Sequence, residues 1–137
     1  MASEENFDLS PGAVKKLLRL LNEPELLGVS TLAGLPEVDR LVTQLNLRET
    51  TANRGLVLGM ILQDLISESA ASSTEVTPWT VLARTHLDRQ PDKAMSKEFS
   101  VSERTVRRLR EEGYRALASS LLRVVLRSRK EALGDAP

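Results

Sequence analysis

Ser96-Lys-Glu-Phe-Ser-Val-Ser-Glu-Arg-Thr-Val-Arg-Arg-Leu-Arg110 is the stretch on which the fold and the function turn. Placed after a break at Arg89, Gln90 and Pro91, it reads as the end of a short helix over Asp92 to Phe99, a tight turn at Ser100 and Val101, and a longer helix beginning with Ser102. Asp92 is placed to cap the first helix. Ser102 is placed to cap the second by accepting from a backbone N–H near Thr105, which leaves further N–H donors and a positive dipole end at that terminus. Met95, Phe99, Val101, Val106 and Leu109 supply the apolar contacts that lock one helix across the other. Arg104, Arg107, Arg108 and Arg110 crowd the first two turns of the second helix.

A DNA major groove admits one α-helix and is read by side chains near the helix's N-terminal end. Arginine suits that position, because its planar fork takes guanine O6 and N7 together or clamps a pair of phosphate oxygens. Helical geometry puts Glu103, Arg107 and Arg110 on one side and Arg104 and Arg108 on the neighbouring side. The expected division is base-edge reading by Glu103, Arg104 and Arg107, with phosphate contacts from Ser102, Thr105, Arg108 and Arg110. The recognition helix spans about residues 102–112.

Working outward, the helix continues through Tyr114, Leu117, Ala118, Leu121, Leu122 and Val125, a stripe longer than the short motif can cover. Either the preceding half of the chain or a second subunit covers it, and a homodimer would suit half-sites related by a two-fold axis. Gly113 marks a bend. Arg123, Arg127, Arg129 and Lys130 read as a solvated helix end complementing the C-terminal dipole, with supplementary phosphate contact as the other reading. Upstream, Thr77 and Pro78 open a helix whose buried face carries Trp79, Leu82, Ala83 and Leu87, with Trp79 at the junction between the halves. His86 reads as a solvated or core-edge histidine rather than a catalytic or sensing group.

Ser67 to Thr77, rich in Ser, Thr and Ala, is the linker candidate. Before it, Ser10 and Pro11 open a helix with Val14, Leu17, Leu18 and Leu21 on one face and Lys15, Lys16 and Arg19 on the wet one. Pro24 stops or redirects that helix, Gly28 to Gly34 reads as a connection, and Pro36 opens a second helix carrying Val38, Leu41, Val42 and Leu45. A third, from about Thr51, is apolar over more than half its circumference and belongs at the centre of a bundle. On it Gly55 and Gly59, four apart, would let another element approach closely. Residues 1–9 and the tail after Leu133 read as mobile ends.

The fold class expected from this pattern is all-α, a helical bundle with a C-terminal helix-turn-helix, and composition agrees: 24 Leu against 13 Val and Ile in 137 residues. Nineteen basic and nineteen acidic residues cancel overall. Divided after Thr80, however, the first part carries a net −5 and the second +5, and Ser96 to Lys130 alone carries +6. Two regions follow: an acidic helical one over residues 1–72, for oligomerisation or partner binding, and a basic helix-turn-helix one over residues 73–137. Without Cys and with one His, thiolate and multi-histidine metal sites are excluded, and no metal or cofactor is expected. Four scattered aromatic residues make no base-stacking platform. Neighbouring carboxylates such as Glu111 and Glu112 point about 100° apart on a helix, and no Gly-rich phosphate loop or Ser/His/Asp set is present, so an enzyme is not expected. No apolar run reaches the roughly 20 residues a membrane span needs, and Glu4, Glu5 and Asp8 do not make a signal peptide, so a cytoplasmic protein without a membrane partner is expected.

The stretch Val101-Ser-Glu-Arg-Thr-Val-Arg-Arg108 resembles the helix-turn-helix of LuxR-type regulators and of sigma-factor region four. The resemblance covers about residues 79–122 and implies that Ser102 starts the recognition helix, that Val106 is buried and that Glu103 to Arg108 face DNA. Ser96 stands where that family prefers Ala, and Ser100 where it prefers Gly in a turn with φ > 0. The expected function is a sequence-specific, double-stranded DNA-binding transcriptional regulator of a bacterium or phage. RNA polymerase or another regulator is the further expected partner. The alternative is a helical interaction module acting on the transcription apparatus without touching DNA.

Overall fold

The computed structural model describes residues 9–71 and 75–134, and every regular element among them is helical. Helix α1 (Pro11–Arg19) starts where Ser10 Oγ accepts from the Ala13 N–H at 3.2 Å and buries Val14, Leu17 and Leu18. Pro24 does not merely end this run: with its φ already helical it opens the short α2 (Pro24–Leu27). A 3₁₀ turn over Thr31–Gly34, capped by Ser30, leads to α3 (Pro36–Gln44). Leu35 has no side chain to cap α3, and Ser128, far along the chain and 3% exposed, does so instead, accepting from the Glu37 N–H at 3.3 Å.

Helix α4 (Thr51–Ala71) is the central one, burying Val57, Leu58, Leu62 and Ile66. It runs through the first five residues of the expected linker, because Ser and Ala tolerate a helix that tertiary packing already holds. Residues 72–74 of that linker, and the expected mobile ends over 1–8 and 135–137, lie outside the described residues. A reciprocal capping box between Thr77 and Thr80 starts α5 (Pro78–Leu82), which widens into a π turn over Ala83–Leu87. Then come α6 (Asp92–Phe99) and the 32-residue α7 (Glu103–Gly134).

The stripe on α7 is covered within the chain. Tyr114, Leu117, Leu121 and Val125 share one core with Val14, Leu18, Leu27, Val38, Leu62 and Leu82, contributed by α1 to α5. The main core therefore crosses the division at residue 72. Leu122, expected in the stripe, is 47% exposed, and Val124 takes the buried place. Helix α7 runs without interruption through Gly113. A Cβ at Gly113 would stand 2.7 Å from Leu82 Cγ and 2.9 Å from the Pro78 carbonyl oxygen, so the missing side chain serves close packing against α5. No helix among the described residues is long and apolar enough to cross a membrane.

Candidate nucleic-acid interface

A satellite core holds the motif together: Val81, Met95 and Val106 are fully buried, ringed by Val76, Phe99, Val101 and Leu109. The turn between α6 and α7 is made by Ser100 at φ 55°, ψ 45°, the left-handed conformation. Ser96, unlike an alanine, contributes a bond there, donating from Oγ to the Val101 carbonyl. Left-handed backbone costs a non-glycine residue about 1–2 kcal/mol, part of which glycine returns through its freer unfolded chain. Ser100→Gly is therefore expected to stabilise the protein by about 0.5–1 kcal/mol, read as a higher urea midpoint at unchanged slope. A lower midpoint would mean that the serine side chain supports the turn.

Ser102 caps α7 as its spacing suggests, its Oγ accepting from the Thr105 N–H at 3.0 Å. Asp92 does not cap α6, whose start is Pro91. Its carboxylate instead pairs with Arg110, whose Nε also donates to Thr85 Oγ1 at 3.2 Å. Arg110, expected at a phosphate, is thereby turned inward with 15% of its side chain exposed, and ties α6 and the π turn to α7. A second tie runs from Arg84 to Asp88 at 3.1 Å and to Glu98 at 2.9 Å, with Gln90 donating to the same Glu98 carboxylate. The bonds from Gln90 and Arg84 hold the Glu98 carboxyl below its ordinary pKa. The Asp92–Arg110 and Arg84–Glu98 pairs join different elements and have no local signal in the sequence, whereas Arg84 and Asp88 stand four apart.

Ser102, Glu103, Arg104, Arg107 and Arg108 are exposed, and Thr105 is half-buried. Arg108 makes a 3.4 Å pair with Glu112 one turn on, while its side chain stays 65% exposed. Among the described residues, Arg104 and Arg107 have no carboxylate at ion-pair distance, so the acidic helices leave this face uncovered. The structure also brings Lys15 and Arg19 of α1 beside Arg107, in one groove. On the sequence those two were simply the wet face of α1, and no local signal marks where that face lands.

His86 lies at the edge of the core, its Nε2 sharing a 2.9 Å hydrogen bond with the Tyr114 hydroxyl. Burial, with Arg110, Arg19 and Lys15 nearby, lowers its pKa from 6.5 to about 4. The unfolded chain thus binds a proton that the fold rejects. The stability this supplies is complete above about pH 6.5 and is lost as pH falls toward 4, on the order of 2 kcal/mol after allowing for solvent screening of the part-exposed ring. Urea denaturation at pH 7 and pH 4.5 should show this loss in the parent and a smaller one in His86→Gln. Equal losses would mean that the ring titrates normally in the fold.

Compared with models of known protein families, with curated proteins and with solved structures, the chain matches none.

Proposed function

We propose that this chain is a cytoplasmic transcriptional regulator that binds double-stranded DNA by laying the N-terminal turns of α7 in the major groove. One observation carries the reading. Arg104, Arg107 and Arg108 stand exposed on the first two turns of a helix held against α6 by a satellite core and by the Arg110–Asp92 pair. Rigid support matters because a bidentate arginine contact discriminates bases only when the helix cannot roll. Ser102, Glu103 and Thr105 complete the contact set, and Arg110 serves by positioning. The exposed Leu122 and Leu126, one turn apart on α7, are an apolar pair that a homodimer could use for two half-sites.

Fluorescence anisotropy with random duplex at low salt, followed by in vitro selection, tests this. The reading expects weak non-specific binding that falls steeply between 50 and 200 mM salt, and a selected sequence bound more tightly. Binding indifferent to salt would overturn it. The second reading, docking on an acidic surface of RNA polymerase or another regulator, draws on the chain's zero net charge. Absence of any duplex binding at low salt would favour that one.

A further inference from the structure

Arg107 faces two ways: toward open solvent at the start of α7, and into a groove of about 400 Å³ between α1, the π turn and α7. Lys15 and Arg19 enter this groove from α1, and Arg107, Arg110 and Glu111 from α7. Arg110 is neutralised by Asp92. Among the described residues, Lys15, Arg19 and Arg107 have no carboxylate at ion-pair distance, so three cations share a concave site with Glu111 alone. The floor is built from the hydrogen-bonded His86 and Tyr114 rings, 5.7 Å apart, and the Lys15 ammonium stands 6.0 Å from the Tyr114 ring centre.

We propose that this groove binds a small phosphorylated anion, its phosphate held by Lys15, Arg19 and Arg107 over the His86 and Tyr114 pair. The volume lies in the range of small-ligand sites, and two guanidinium forks with an ammonium are the donor set that phosphate oxygens take best. Two helical walls and a ring floor suit a compact ligand better than a strand running past. Burial first, and then Arg110, Arg19 and Lys15, depress the titration of His86, so two of the three site cations already act on the floor of the groove. An occupied groove would draw Arg107 away from DNA, which makes the ligand an effector. That last step rests on the reading above; binding itself does not.

His86 is the only histidine, so its ring resonances in the full-length chain report the groove without ambiguity. Pyrophosphate is the probe, added at ionic strength matched with sodium chloride. At pH 7 the His86 and Tyr114 ring signals are expected to move saturably, and the His86 titration midpoint to rise by about one unit, because the anion offsets the neighbouring cations. The Lys15→Gln, Arg19→Gln double variant, and separately Arg107→Gln, should weaken that binding about tenfold or more while keeping the parent's circular dichroism. Shifts reproduced by sodium chloride, or undiminished in both variants, overturn the proposal. So does a short duplex that shifts His86 more than pyrophosphate does at equal phosphate, which would assign the groove to the DNA backbone. Failure to bind DNA would leave the pyrophosphate result standing, and so separates the two readings.

Discussion

Alanine at Arg104, Arg107 and Arg108 together is expected to lower affinity for a selected duplex by about a thousandfold, or roughly 4 kcal/mol, while leaving the unfolding midpoint nearly unchanged. Each guanidinium that reads a base or clamps a phosphate is worth about 1–3 kcal/mol, and the three lie too close together to add fully. Arg108 already spends part of its charge on Glu112 and should contribute least. Single variants separate the roles: Arg104→Ala and Arg107→Ala should change the preferred sequence, whereas Arg108→Ala should weaken all sequences alike and reduce the salt slope by about 0.9. Stability is spared because these side chains are exposed and the ion pair among them, Arg108 with Glu112, is a solvated pair within a single helix. A triple variant binding within about fivefold of the parent would show that α7 does not enter the groove.

Arg110 makes the instructive contrast. By sequence it belongs with its neighbours, three residues beyond Arg107 and on the same side. In the fold that side of the helix passes from solvent into the angle between α6 and the π turn, and Asp92 waits there. Helical angle is a local property; the point at which the face meets other elements is not. The same limit explains the rest of the pattern. Caps at Ser10, Ser102 and Thr77, the proline starts at Pro11, Pro36 and Pro78 and the left-handed turn at Ser100 depend on a few adjacent residues, and the structure contains each of them. The capping of α3 by Ser128 depends on a partner many residues away. Charge segregation between the halves was visible in composition, but composition could not reveal that Lys15 and Arg19 of the acidic half would stand beside Arg107.

Gly55→Ala is expected to cost about 2–4 kcal/mol. A Cβ there would sit 1.8 Å from the Pro24 carbonyl oxygen and 2.7 Å from the Gly28 nitrogen, both backbone atoms that cannot turn aside. The contact is reciprocal, since a Cβ on Gly28 would meet the Thr51 carbonyl oxygen at 1.9 Å. Two glycines thus let the backbones of α2 and α4 touch, and that approach seats Leu27 in the core beneath α1. Alanine's better helix propensity, about 1 kcal/mol, opposes the loss without matching it. Gly59, one turn on, is the control: a Cβ there meets only Leu27 Cδ2 at 3.6 Å and Leu21 at 3.9 Å or more, ordinary contact distances. Gly59→Ala should therefore be neutral or stabilising by up to about 1 kcal/mol, although on the sequence the two glycines look equivalent. Urea unfolding of the two variants side by side decides the matter. Equal midpoints would mean that α2 does not lie backbone to backbone on α4, and that the spacing of four carries no packing role.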